Sequence, residues 1–154
     1  MSVLGELQPN KVFKYFEEIC SIPHGSRNLQ QISDYLVDFA KAHELKYRQD
    51  EDLNVIIWKD GSKGYEASEP VILQGHMDMV AVKEADCDKD MEKEGLDLEI
   101  NGDYISAKGT SLGGDDGIAV AYTLAVLDDE EMAHPPIEAI FTVNEEIGML
   151  GAAT

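Results

Sequence analysis

Basic side chains are scarce in this 154-residue sequence, which has 12 Lys and Arg against 31 Asp and Glu and a formal net charge of −19. Because nucleic-acid binding is built largely from Lys and Arg that neutralise phosphates, we expect no nucleic-acid partner. An anionic membrane surface is disfavoured for the same reason. Acidity usually serves solubility, but carboxylates also bind cations, so the positions of the acidic residues must decide between the two.

Long apolar runs and paired cysteines are also missing. No stretch approaches the ~18 apolar residues of a membrane-spanning helix, and the N-terminus lacks the basic and apolar segments of a signal peptide. Cys20 and Cys87 form neither a disulfide framework nor a CxxC pair. We interpret Cys20 as a small core residue, and we do not expect Cys87 to be a nucleophile because Asp86 and Asp88 disfavour its thiolate. These features predict a single cytoplasmic domain.

Hydrophobic spacing predicts three helices. Apolar residues recur at helical spacing over residues 9–20, where Pro9 and Asn10 are start signals. They recur again over residues 28–43, where Asn28 is the expected N-cap. Residues 118–127 are rich in Ala, Leu and Val and predict a buried helix, which the prolines at 135 and 136 prevent from continuing.

Short β-branched segments predict strands over residues 54–58, 71–73 and 137–143, and the last is apolar enough to be central in a sheet. Apolar and acidic residues alternate over residues 96–100, and an Asn-Gly pair precedes residues 104–107. This pattern predicts a β-hairpin. Residues 83–94 have mixed charge and no period, which predicts an exposed loop. The order of strands and helices predicts an α/β fold with a mixed central sheet and helices on both faces.

Three acidic clusters stand out against this framework, and two of them follow directly on an apolar strand. Ligands of open α/β sheets collect at the carboxyl ends of strands, so residues that are remote in sequence can converge there. This is the reason to interpret the clusters together. They are Gly75-His76-Met77-Asp78, Gly113-Gly114-Asp115-Asp116 and Asn144-Glu145-Glu146.

The first two clusters each have a structural and a functional interpretation. His76 and Asp78 face the same side of an extended chain, so Asp78 can orient His76 as carboxylates often orient metal-bound imidazoles. A lone His-x-Asp is, however, more often a satisfied pair at the end of a strand. Asp115 and Asp116 lie among glycines, where a carboxylate can bridge two cations or can cap the following helix.

Glu145 and Glu146 would be costly to bury without a counter-charge, although an exposed loop with two solvated carboxylates is the alternative. On an extended segment they point to opposite sides, which suits one carboxylate that binds a metal and a neighbour that accepts a proton from the activated water. Imidazole with carboxylates favours zinc, then manganese or cobalt, over calcium or magnesium. We expect His24, His43 and His134 to be structural.

Four segments, in matching order and spacing along the whole chain, resemble the Xaa-His dipeptidase family. Its members are also called cytosolic non-specific dipeptidases or peptidase D, and they lie within the co-catalytic zinc peptidases that include tripeptidase T and the aminoacylases. The four segments are CSIPH at residues 20–24, GHMDMV at residues 75–80, AKGTSLGGDDG at residues 107–117 and EEIGM at residues 145–149.

The resemblance implies a site with two Zn²⁺ ions, for which Mn²⁺ or Co²⁺ are alternatives. In such a site His76 is a terminal ligand of one zinc, Asp115 bridges the two and Glu146 binds the other. Glu145 is the general base, and Asp78 is the catalytic-site carboxylate that positions the centre. The resemblance also implies a cis peptide bond between Asp115 and Asp116.

Members of this family continue well beyond the position of Thr154, with a further acidic ligand, a histidine ligand and a lid domain that binds substrate and forms a homodimer. We therefore expect residues 1–154 to be a truncated N-terminal portion of a zinc-peptidase-like catalytic domain. The parent would hydrolyse dipeptides, and the fragment alone would bind metal weakly and have little or no activity. A related amidohydrolase, such as a tripeptidase or aminoacylase, and a non-catalytic acidic metal-binding module remain alternatives.

Overall fold

A computed structural model describes residues 2–154 of the chain. These residues form three α-helices and six strands, and a short 3-10 helix, Gly151–Ala153, lies near the C-terminus. In chain order they are α1 (Asn10–Cys20), α2 (Gln30–Ala42), β1 (Lys46–Gln49), β2 (Val55–Lys59), β3 (Val71–His76), β4 (Leu98–Asn101), β5 (Tyr104–Ala107), α3 (Gly114–Leu127) and β6 (Ile137–Thr142).

The two N-terminal helices form where the apolar spacing predicts them, because residues three and four apart share one face of a helix. Phe16 and Ile19 of α1 and Ile32 and Leu36 of α2 are buried on those faces. The start of α2 differs from the prediction. Asn28 does not cap the helix but donates a hydrogen bond from Nδ2 to the Glu92 carbonyl oxygen at 2.9 Å, and α2 begins at Gln30.

Four strands form a mixed sheet in the order β1-β2-β6-β3, so that β6 lies in the interior as its apolar sequence predicts. β6 is antiparallel to β2 and parallel to β3. β3 is longer than expected, and it carries His76 to a position opposite Thr142 at the end of β6. β1 was not predicted, because its sequence KYRQ is polar and mostly exposed.

One face of the sheet makes the core. Val55, Ala139 and Phe141 are fully buried there, in one cluster with residues of all three helices. α3 packs closely on β3, where a Cβ atom at Gly75 would lie 3.5 Å from the Ala119 side chain. α1 lies against α3 in turn, since a Cβ atom at Gly117 would lie 3.3 Å from the Phe16 ring.

The opposite sheet face carries none of the three α-helices of residues 2–154. Ile72 on β3 is 59% exposed there. Ile56 and Ile140 instead line an open cavity together with residues of the 3-10 helix. The α/β class and the mixed sheet are thus confirmed, whereas the described residues supply the expected helix layer on only one of the two faces.

The predicted hairpin is confirmed as the two-stranded sheet β4-β5, which turns at Gly102 with a positive φ of 62°. Residues 83–94 contain no helix or strand, as expected, apart from an isolated bridge between Lys83 and Thr110. The longest helix of residues 2–154, α3, has 14 residues, and no helix in this range has the length and apolar character to cross a bilayer.

Candidate metal centre

His76 is held at the end of β3 with one ring nitrogen engaged and the other directed at neighbouring carboxylates. The residue is 8% exposed, and its Nδ1 is 2.9 Å from the carbonyl oxygen of Asp78. A carbonyl oxygen only accepts hydrogen bonds, so Nδ1 carries a proton, and Nε2 is the ring nitrogen that faces the carboxylates and would meet a cation. The Asp78 carboxylate is 3.4 Å from Nδ1, so the backbone of Asp78 orients the ring more directly than its side chain does.

Asp115 and Asp116 enter the site through an irregular start to α3. The helix begins at Gly114, four residues before the predicted start, but Asp115 itself has extended dihedrals (φ −89°, ψ 110°). The Asp115–Asp116 peptide bond is cis, as the family resemblance implies. Gly113 precedes it at φ 70°, and a Cβ atom there would meet the Met79 sulfur at 2.8 Å, so the turn requires glycine.

Neither of these two carboxylates accepts a hydrogen bond from an N–H group of α3, which argues against the helix-cap interpretation. Asp115 Oδ1 instead lies 3.1 Å from His76 Nε2, and its side chain is 87% exposed. Asp116 Oδ2 accepts a hydrogen bond from the His76 backbone N–H at 3.3 Å. The glycine-rich turn is therefore directed at the end of β3.

Glu145 and Glu146 follow β6, and their backbone is attached to Asp78. The N–H groups of Glu145 and Glu146 donate to the two Asp78 carboxylate oxygens at 2.9 and 3.3 Å. The two side chains line different cavities. Glu145 lines a cavity of about 650 Å³ beside the open sheet face, whereas Glu146 lines a second cavity of about 750 Å³ near residues 88–92.

The three predicted metal ligands come together in the structure. One ligand atom each from His76, Asp115 and Glu146 lies within 4.8 Å of the other two. Atoms that bind one zinc at 2.0–2.2 Å lie up to about 4 Å apart, so the spacing of these ligand atoms is within small side-chain rotations of a metal centre. Glu145 Oε2 lies beside this group, 3.8 Å from His76 Nε2.

Negative charge accumulates around His76 without a lysine or arginine to offset it. Among residues 2–154, no lysine or arginine makes a salt bridge to any of the five carboxylates around His76. Burial raises the pKa of Asp116, and the nearby charges of Asp115 and Glu145 raise it further. Burial lowers the pKa of His76, but the hydrogen bond to Asp115 and the charges of Asp78 and Asp116 outweigh it and leave that pKa raised.

A divalent cation would relieve this repulsion. The donor set of one imidazole and several carboxylates fits zinc, manganese or cobalt better than the all-oxygen sites of calcium and magnesium. The other histidines supply no ligand atom to the group. His24 and His134 contact backbone carbonyl oxygens at 2.6 and 2.8 Å, and His43 packs on Phe39 with ring centroids 4.3 Å apart.

The sequence analysis gave no role to two residues that connect distant parts of the centre. The Ser26 hydroxyl donates to Asp78 Oδ2 at 2.7 Å, and Asn144 Oδ1 accepts from the Arg27 N–H at 2.8 Å. Both bonds connect the turn between α1 and α2 to residues more than 50 positions away. The CSIPH segment at residues 20–24 was recognised in the sequence, but no local pattern indicated what the turn after it contacts.

Comparison with known proteins finds relatives that match over almost the whole of this chain. The cytosol non-specific dipeptidase of Escherichia coli (strain K12) is 41% identical over 152 residues, which are 99% of this chain and 31% of that protein. The crystal structure of aminoacylhistidine dipeptidase from Vibrio alginolyticus matches with a TM-score of 0.95 and 40% identity, over 98% of this chain and 31% of that one.

A tripeptidase from Staphylococcus aureus is more distant, with a TM-score of 0.76 and 25% identity over 97% of this chain and 40% of its own. No protein-family model matches the chain. The chain is thus related in sequence and fold to the non-specific and aminoacylhistidine dipeptidases, which are peptidases. It spans about a third of the length of these relatives.

Proposed function

We propose that residues 1–154 form the N-terminal portion of the catalytic domain of a dinuclear metal-dependent dipeptidase, with zinc as the preferred metal. Dipeptides, including those of the Xaa-His type, are the proposed substrates. The observation that carries the proposal is the convergence of His76, Asp115 and Glu146, three residues remote in sequence, to within 4.8 Å. The names of the two relatives that are 40% and 41% identical support the substrate class.

In this proposal each residue of the centre has a separate task. His76 would hold one zinc through Nε2, Glu146 would hold the other, and Asp115 would be the ligand that the two ions share. When bound, the two ions act as Lewis acids that activate a water and polarise the peptide carbonyl. Glu145 accepts the proton of the attacking water as general base and returns it to the leaving amine. Asp78 positions the backbone of both glutamates.

The remaining assignments concern the protein that contains this chain. We propose that further ligands and a lid domain lie outside residues 1–154 and that the lid forms a homodimer. With three candidate ligands present, this chain alone binds metal weakly and hydrolyses little or no peptide. The proposed location is the cytoplasm, in line with the name of the Escherichia coli relative. Nucleic acid and membranes are not among the proposed partners.

The metal site can be tested on this chain by titration with Co²⁺, whose visible absorption reports binding. We expect Asp115→Ala to weaken binding by at least tenfold, since it removes the proposed bridge. Asp103→Ala is the control, because it removes the same charge from an exposed hairpin turn and leaves the centre intact. Equal Co²⁺ affinity in Asp115→Ala and the unmodified chain would contradict the assignment.

The catalytic assignment is tested in the complete gene product that contains this chain, by its rate of hydrolysis of an Xaa-His dipeptide. Glu145→Gln preserves size and removes the base, so we expect the rate to fall by roughly 10²–10⁴-fold while the zinc content stays the same. Glu131→Gln, at an exposed site, is the control. Nearly full turnover in Glu145→Gln would show that this residue is not the base.

A further inference from the structure

The turn between α1 and α2, residues 24–28, runs alongside the chain that leaves β3 towards the metal centre. Gly25 forms an isolated parallel bridge with Met79. The Met79 N–H donates to the His24 carbonyl oxygen at 3.1 Å, and the Ser26 N–H donates to the Met79 carbonyl oxygen at 3.2 Å. A Cβ atom at Gly25 would lie 2.7 Å from the Ala81 Cβ, so the close approach depends on glycine.

This turn brings the Ser26 hydroxyl to a buried carboxylate. The Asp78 side chain is 0% exposed, and three groups donate to its two oxygens. Two of them are the backbone N–H groups of Glu145 and Glu146. The third is the Ser26 hydroxyl, at 2.7 Å the shortest of the three and the one side-chain O–H donor to Asp78 among residues 2–154.

The three bonds together define the plane of the Asp78 carboxylate. The terminal torsion angle of an aspartate is broad, and two backbone donors, one of them at 3.3 Å, leave it some freedom that a third, shorter hydrogen bond restricts. Oδ2 accepts from both Ser26 and the Glu146 N–H, so the serine fixes the same oxygen that holds Glu146. A displacement of the Asp78 carboxylate would shift the backbone of Glu145 and Glu146, and with it the positions of both side chains.

We propose that Ser26 is a positioning residue for the metal centre. Its hydroxyl fixes the Asp78 carboxylate, and the carboxylate holds the backbone of residues 145–146 so that Glu146 meets His76 and Asp115. The role rests on the proposed function of the centre. It acts through hydrogen bonds alone, so it requires the hydroxyl group of Ser26 and no charge or change of protonation.

The test compares three variants of this chain. Ser26→Ala removes the hydroxyl, and Ser26→Thr keeps it. Ser33→Ala is the matched control, because Ser33 is fully buried and its hydroxyl donates to the Leu53 carbonyl oxygen at 2.7 Å, away from the centre. Each is titrated with Co²⁺, and the amide resonances of Glu145 and Glu146 are followed by ¹⁵N NMR in the metal-free chain.

We expect Ser26→Ala to weaken Co²⁺ binding by about tenfold, the lower end of the effect of losing a group that orients metal ligands. It should also shift the amide resonances of Glu145 and Glu146, as their acceptor moves. Ser26→Thr should bind within about threefold of the unmodified chain. Ser33→Ala should lower stability and leave both the affinity and these two resonances unchanged.

The outcomes separate this proposal from the one on which it rests. If the unmodified chain does not bind Co²⁺, the metal site is wrong and the role of Ser26 with it. If the unmodified chain binds and Ser26→Ala binds equally well, the positioning role alone is overturned. It is also overturned if Ser33→Ala weakens binding as much as Ser26→Ala does, or if Ser26→Thr fails to restore it.

Discussion

Asn54, just before β2, is predicted to hold both ends of the turn that carries Glu145 and Glu146. The residue is 8% exposed, and its Oδ1 accepts a hydrogen bond from the Val143 N–H at 3.1 Å. Its Nδ2 donates to the carbonyl oxygen of Gly151 at 3.2 Å and to Asp50 Oδ2 at 2.8 Å. Val143 precedes the turn and Gly151 follows it. The side-chain amide of Asn54 therefore forms hydrogen bonds to the backbone at both ends of the turn.

The expected loss in Asn54→Ala follows from the groups that the substitution leaves without partners. Val143 is 1% exposed, so its N–H would be buried without an acceptor, which costs about 1–3 kcal/mol. The lost bond to Asp50 adds about 0.5–1.5 kcal/mol. The Gly151 oxygen keeps a donor, the Thr154 hydroxyl at 2.9 Å. We therefore expect the free energy of unfolding to fall by roughly 2–4 kcal/mol.

Urea denaturation of this chain measures the change. Asn101→Ala is the control, since Asn101 also donates to two side-chain oxygens, those of Glu99 and Ser106, but lies on the exposed hairpin. Exposed substitutions of this kind change stability by about 0.5 kcal/mol or less. If Asn54→Ala lost no more than the control, Asn54 would not be what satisfies the Val143 N–H, and the reasoning would be refuted.

Three further predictions concern pH, metal and packing. Burial lowers the pKa of His24 in the folded chain below its ordinary value of 6.5, so the unfolded chain binds the proton more readily and stability is lost as the pH falls below about 6.5. His24→Gln should therefore lose less stability than the unmodified chain between pH 7 and pH 5 in urea denaturation, and equal losses would exclude His24 as a cause. Saturation with Zn²⁺ at about 100 times its Kd should add about 2.7 kcal/mol to the free energy of unfolding. Thermal melts should show this stabilisation in the unmodified chain, and at most about 1.4 kcal/mol of it in Asp115→Ala at the same Zn²⁺ concentration if that variant binds at least tenfold more weakly. Gly151→Ala would place a Cβ atom 2.5 Å from the Val143 carbonyl oxygen, and overpacking of this kind typically costs about 1–3 kcal/mol, which urea denaturation would detect.

Local pattern was sufficient for much of the fold. α1 and the β4-β5 hairpin form as predicted because apolar spacing and an Asn-Gly turn act over a few residues. β1 was missed because an edge strand with exposed polar residues lacks apolar alternation. The start of α3 was placed four residues late, because glycines and aspartates in its first turn are typical of loops as well as helices.

The centre was predictable to a different degree. The clusters that contain His76, Asp115 and Glu146 could be recognised because they are compact motifs at the ends of predicted elements. The choice of these three as ligands came from the family resemblance, and the structure brings the three close together. Ser26 could not be named, because its partner lies 52 residues away and serine is common in turns. The groups that support a site depend on how distant segments pack, and a single sequence does not encode that packing in any local spacing.

The arrangement of charges favours cation binding by this group of carboxylates over an interpretation in which they are only hydrated surface groups. Solvated carboxylates repel one another and would be expected to spread into water, yet here Asp78 is fully buried and holds Glu145 and Glu146 by their backbone. Asp116 is held beside Asp115 by the His76 N–H, although both are acidic. Such enforced proximity raises the energy of the metal-free chain, and the proposed pair of divalent ions, held by His76, Asp115 and Glu146, would reduce that repulsion. The binding free energy of these ions would add to the stability of the fold, so the stabilisation by Zn²⁺ and the metal affinity should decline together in any variant that loosens the turn at residues 144–150.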